Sequence, residues 1–159
     1  MASVLKVNEI QHSGGTTALS IDSSGRIIQS TNRPAFWVYK SNGDVAAGNV
    51  IAWNGARLNQ GSHINLSTGV FTVPITGLYV FHFEGIASGN GECRVRIQVN
   101  GSSVSDGRRG NGTASNAYEG LHVQALLALT ANDEVSTYVI EGHLYGQNDK
   151  HTTWLGYLV

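Results

Sequence analysis

Apolar and polar residues alternate with period two along several short runs, the spacing that sends successive side chains to opposite faces of a β-strand. The clearest are Phe36-Trp37-Val38-Tyr39, Gly69-Val70-Phe71-Thr72-Val73, Leu78-Tyr79-Val80-Phe81-His82-Phe83 and Arg94-Val95-Arg96-Ile97-Gln98-Val99. The fourth is plainly amphipathic. The third is apolar on both sides, with Tyr79, Phe81 and Phe83 on one and Leu78, Val80 and His82 on the other. A sandwich strand carries that pattern when its outer face is also covered, so another subunit is expected there. Residues 117–129 read two ways. Leu121, Ala125, Ala128 and Leu129 form a helical stripe, whereas a strand places Leu121, Val123, Ala125, Leu127 and Leu129 on one face and His122, Gln124, Leu126 and Ala128 on the other. Periodicity alone leaves the choice open.

Between the runs stand Asn42-Gly43, Asn54-Gly55, Asn90-Gly91, Asn100-Gly101, Asp106-Gly107 and Asn111-Gly112. Such dipeptides supply the positive φ of tight hairpins, and their close spacing predicts an all-β sandwich or barrel. The 20 glycines, 2 prolines and 13% charged residues agree. Residues 1–32 differ from 33–159. Two short alternating runs, Val4–Ile10 and Thr17–Asp22, end in Ser/Gly-rich turns and have too little core of their own. A separate β stem over 1–32 is expected, paired or wrapped with other chains.

A formal charge of −1 offers no basic footprint for nucleic acid. No segment approaches the ~20 apolar residues of a membrane-spanning helix, and the N-terminus lacks an apolar core of signal-peptide length. Neither membrane insertion nor export is expected. The single cysteine, Cys93, cannot close an intrachain disulfide and reads as a small buried hydrophobe.

Residues 67–81, Ser-Thr-Gly-Val-Phe-Thr-Val-Pro-Ile-Thr-Gly-Leu-Tyr-Val-Phe, fill every fixed position of Gly-x-Phe-x-x-Pro-x-x-Gly-x-Tyr-x-Phe. In this the chain resembles the complement 1q globular-head family. The likeness continues in Val50–Asn54 and Leu58-Asn59, with His63 where the family has tyrosine. It goes on in 127–135, with Asn132 in place of the usual turn glycine, and in Thr153–Val159. The resemblance implies a ten-strand jelly-roll β-sandwich of complement 1q / tumour necrosis factor-like type, assembled as a trimer, and it favours the strand for 117–129. It also implies that Tyr79, Phe81, Phe83, Leu127, Leu129, Trp154, Gly156 and Leu158 fill the sandwich. Leu78, Val80, His82, His122, Gln124, Leu126, Leu155 and Tyr157 then face the threefold axis. Leu5–Gln11 and Ala18–Ile27 are similar to N-terminal segments of marine cyanophage tail-fibre and virion structural proteins.

Together the two likenesses imply a phage virion protein, made in the host cytoplasm and carried on the virion. Its 1–32 stem would join other virion proteins and its trimeric head would recognise a host-surface glycan or protein. A purely structural virion protein and a polysaccharide depolymerase are the competing readings. Loops near 41–48, 86–91, 105–117 and 142–152 are expected at the free tip, with Arg108, Arg109, Tyr145, Asp149, Lys150 and His151 as receptor contacts and Asp106 and His143 in support. Arginine clamps carboxylate or phosphate groups, and an exposed tyrosine stacks on a sugar. On neighbouring strands, three copies of His82 and His122 would form a ring able to hold a metal or to respond to pH. The family likeness leaves room for calcium at the tip, with Asp44 or Asp149 as donors, although no contiguous Asp-x-Asp-x-Asp-Gly loop is present. No other cofactor is expected. Nucleophile-elbow, phosphate-loop, zinc-helix and Cys-x-x-Cys motifs are absent, which argues against an enzyme.

Overall fold

The computed structural model describes residues 6–29, 33–89, 91–110 and 119–159, and all regular structure in them is β. The chain divides into two compact units at Arg33/Pro34. The first is a three-stranded antiparallel meander of β1 (Glu9–Gln11), β2 (Thr17–Ile21) and β3 (Ile27–Gln29). Its β2–β3 turn is made locally: Asp22 Oδ1 accepts the Ser24 and Arg26 amides, and Gly25 adopts φ +78°. Ile10 and Ile27 stay exposed because three short strands cannot enclose a core. The run at 4–10 yields a strand only from Glu9, and residues 1–5 lie outside the described residues.

The second unit runs through β4 (Ala35–Lys40), β5 (Val45–Ala46), β6 (Asn49–Val50), β7 (Gly55–Gln60), β8 (Ile64–Asn65) and β9 (Val70–Thr72). It continues through β10 (Gly77–Ala87), β11 (Cys93–Val99), β12 (Ser102–Arg109), β13 (Glu119–Leu129), β14 (Glu134–Glu141), β15 (His143–Leu144) and β16 (Thr152–Leu158). The first sheet is ordered β5-β15-β10-β16-β4-β7 with β13 on the other side of β10. The second is ordered β12-β11-β14-β9-β8 with β6 also on β14. Setting aside the two-residue additions β5, β6 and β15 and keeping β8, which pairs with β9, each sheet holds five strands, the ten-strand jelly roll. Residues 119–129 are a strand in register with all of β10, from Gly77↔Leu129 to Ala87↔Glu119. Here tertiary pairing settles what periodicity left open.

Between the sheets lies an aromatic core of Phe36, Trp53, Phe71, Tyr79, Phe81, Phe83 and Trp154. Phe36 touches Trp154 edge-on with centroids 4.6 Å apart and lies 5.0 Å from Phe71. The Tyr79 hydroxyl donates to the Ile75 carbonyl at 2.8 Å, which satisfies its polar end inside the core. Leu129 is buried, and Leu127 and Leu158 pack partly buried against the cluster. Cys93 is buried as expected.

The turn dipeptides divide. Asn100 and Gly101 both take positive φ, 50° and 80°, and close the β11–β12 hairpin; Asn132, at φ 75°, turns β13 into β14. Asp106-Gly107, expected as a turn, is instead interior to β12. A Cβ on Gly107 would meet the His122 carbonyl oxygen at 2.3 Å, so this glycine lets β12 pass close to β13 rather than bend the chain. Asn54-Gly55 is not a positive-φ turn either: the Tyr39 ring occupies the space a Gly55 side chain would need. Asn90 and 111–118 lie outside the described residues.

Candidate functional site

The two sheets present opposite kinds of outer surface. On the second sheet, Arg94 pairs with Asp106 at 2.6 Å and the Arg96 guanidinium lies 4.4 Å over the Tyr138 ring. That is a solvated face. On the first sheet, side chains directed away from the core form an apolar band whose members are set by register. Across β10 and β13, Leu78 opposes Ala128, Val80 opposes Leu126 and His82 opposes Gln124. On the other flank Val80 opposes Tyr157 and His82 opposes Leu155, and Leu155 in turn opposes Trp37. Trp37 opposes Leu58 on β7. Leu126 is 62% exposed, Tyr157 44% and Trp37 43% in the single chain. Val80, His82, Gln124, Leu126, Leu155 and Tyr157 line an open depression of about 620 Å³.

All eight residues assigned to the threefold axis therefore share one face. Sequence reading missed Trp37 and Leu58 on the same band. Their signal was present, because Phe36-Trp37-Val38-Tyr39 is apolar on both sides just as 78–83 is. Arg57 crosses this edge: its guanidinium stacks 5.0 Å from the Trp37 centroid and 4.8 Å from Tyr39.

Several expected tip loops meet. Asp44 Oδ1 accepts the Gly146 amide at 3.0 Å and its Oδ2 the Ser88 hydroxyl at 3.1 Å. The Tyr145 amide donates to Ile86 and the Ser88 amide to His143. Segments 41–48, 86–89 and 142–152 thus converge. The expected loop at 105–117 is corrected at its start, because β12 continues to Arg109, and its 111–117 part lies outside the described residues. Asp106 and Arg108 are strand residues, the first paired with Arg94 and the second, through Nη2, with Glu92 Oε2 at 2.7 Å. Arg109 is corrected from receptor contact to internal staple. It is 5% exposed, pairs with Glu119 at 2.8 Å, and donates to the Gly89 and Gly91 carbonyls at 2.9 and 3.0 Å. Its β-strand position points it inward, where Glu119 meets its charge and the two carbonyls accept from its Nη1.

Asp149 is likewise engaged, accepting from Arg57 at 3.2 Å through its carboxylate and 2.7 Å through its carbonyl. His143, Lys150 and His151 are exposed, and the Tyr145 and His151 rings stand 5.7 Å apart. The residues named for calcium do not fit it. Asp44 is occupied by hydrogen-bond donors and Asp149 by an arginine, whereas calcium requires six to eight oxygen ligands around one point. His82 and His122 do lie together, with ring centroids 6.4 Å apart, and Glu84 joins them: His122 Nδ1 is 3.6 Å from Glu84 Oε1.

The fold is shared with solved proteins. The globular domain of zebrafish complement 1qA protein superposes with a TM-score of 0.63 at 21% identity, covering 79% of this chain and 97% of that one. The Eiger TNF from S. frugiperda gives 0.68 at 12% identity, covering 80% and 93%. No curated protein sequence matches the chain. Residues 35–159, which hold the aromatic core, the apolar sheet face and the converging loops, match the C1q domain family model, and the chain belongs to that family.

Proposed function

We propose that this chain is a phage virion protein, of a tail or capsid fibre, whose C1q head assembles as a homotrimer and mediates host-surface recognition and adsorption. The observation that carries the assembly is the outer face of the first sheet, where Trp37, Leu58, Leu78, Leu126 and Tyr157 stand exposed together. Burying each large apolar side chain is worth about 1.5–3 kcal/mol, so packing this face against neighbouring copies around a threefold axis supplies a strong seam. C1q and tumour necrosis factor-like domains typically form trimers and are generally non-enzymatic binding modules. The phage context rests on the likeness of the N-terminal segment, whose small sheet has exposed isoleucines suited to pairing with other virion proteins. In the infected cell the protein is made in the cytoplasm and leaves on the virion.

Recognition falls to the converging loops, through His143, the Tyr145–His151 ring pair and Lys150. A carboxylated or phosphorylated glycan suits such cations and rings. The second reading, a purely structural virion trimer, draws support from the internal pairing of Asp106, Arg109 and Asp149.

Light scattering of the full chain is expected to give a mass of three chains; a monomer sinks the trimeric reading. Labelled protein is then applied to marine cyanobacterial cells before and after periodate oxidation of their surface glycan. Adsorption lost on oxidation supports recognition, and no adsorption to any host favours the structural reading. Release of reducing sugar would instead identify a depolymerase.

A further inference from the structure

We propose that His82, Glu84 and His122 form a zinc site on the apolar face of the first sheet, complete within one chain. His82 and Glu84 are two apart on β10, so strand periodicity puts both side chains on the same outer face. His122 stands directly across from Glu84 on β13. The three donor atoms lie within 4.8 Å of one another, and Glu84 Oε1 is 3.6 Å from His122 Nδ1. Ligands 2.0–2.1 Å from a tetrahedral zinc are about 3.4 Å apart, so rotation of the His122 and Glu84 side chains, each more than half exposed, closes the set. The backbone need not move, because β10 is hydrogen-bonded on both flanks, to β13 and to β16.

The donor chemistry selects the ion. Two imidazoles and one carboxylate suit zinc and are poor ligands for calcium or magnesium, which take oxygen. Two His and one Glu also leave a fourth position open, for water or a group from outside the set. His82 has no hydrogen-bond partner among the described residues, so its ring nitrogens are not committed to another task. His82 borders the depression lined by Val80, Gln124, Leu126 and Leu155, while Glu84 and His122 stand toward solvent at its side.

The test uses the full chain, stripped with chelator and dialysed to equilibrium against zinc chloride, with bound metal counted by elemental analysis. Cobalt(II) substitution reports geometry through its visible d–d absorption. The expected result is one zinc per chain and a tetrahedral cobalt spectrum. The double variant His82→Gln/His122→Gln loses both signals, and Glu84→Gln, which keeps the side-chain shape, weakens binding by about tenfold or more. His12→Gln, in the N-terminal unit, leaves binding unchanged. Absence of saturable zinc binding overturns the site, as does undiminished binding by the double variant. One zinc per three chains overturns the assignment of a complete ligand set to a single chain.

Discussion

Gly156 of β16 lies between Phe81 of β10 and Phe36 of β4, and a Cβ there would stand 2.6 Å from the Phe81 ring and 2.7 Å from that of Phe36. The glycine is thus the space into which two aromatic rings pack. Both rings are fully enclosed, so neither can move without displacing Phe71 or Trp154. Gly156→Ala is expected to cost about 1–3 kcal/mol through overpacking. Urea unfolding measures it, and an unchanged midpoint would refute this account of the core.

Arg108 and Arg109 are sequence neighbours with opposite roles. Arg109→Ala removes an ion pair and leaves the Gly89 and Gly91 carbonyls without their donor, a loss of about 2 kcal/mol. Arg108→Ala removes an exposed pair and should change stability by no more than about 0.5 kcal/mol. Thermal denaturation of the two single variants separates them; equal effects would contradict the inward placement of Arg109.

Leu126 discriminates between monomer and assembly. In the single chain it is 62% exposed, so arginine there costs an isolated domain very little. In a trimer joined through this face the same substitution buries an unpaired charge. Leu126→Arg is therefore expected to lower the mass seen by light scattering from three chains to one while far-ultraviolet circular dichroism stays β. A folded variant that remains trimeric would place the interface elsewhere.

Alkaline pH should destabilise the head. Burial pushes the Cys93 thiol from 9.0 up to about 11, with the Arg109 charge opposing. Between these values the unfolded chain releases a proton that the folded chain keeps. Stability is therefore fully present below pH 9.0 and falls towards about 11, by about 2–3 kcal/mol at most at 1.4 kcal/mol per pH unit. Tyr79 is also raised by burial, against its hydrogen bond to Ile75, and adds to the decline above 10.0. Urea midpoints across pH 8–11 should slope downward from about 9 in the native chain. In Cys93→Ala the decline should start nearer 10; an identical slope would remove Cys93 as its source.

The alternation of 78–83 and 94–99, the hairpin at Asn100-Gly101 and the motif over 67–81 were legible in the sequence because strand faces and turn φ angles are local properties. For the same reason the face holding Leu78, Val80 and His82 was readable as a unit, and its excess of apolar residues pointed to a covering partner. The class of 117–129 was not readable from periodicity. Both periods fit the residues, and only eleven paired positions along β10 select the strand.

The candidate site shows the same division. Asp106-Gly107 has turn chemistry, yet Gly107 serves a close approach to the His122 carbonyl, a residue fifteen positions away in the chain. Arg109 has the composition of a binding loop but is buried, because the Gly89 and Gly91 carbonyls and Glu119 converge on it in space. Glu84 joins His82 by strand period and His122 by register, and only the first was within reach of the sequence. By itself the sequence determined which side chains share a strand face and the tight turn at Asn100-Gly101, since these follow from backbone geometry over two to four residues. Which strands lie side by side, which charges are enclosed and which three ligands meet were decided by the tertiary structure, because they depend on contacts between segments whose separation along the chain carries no local signal.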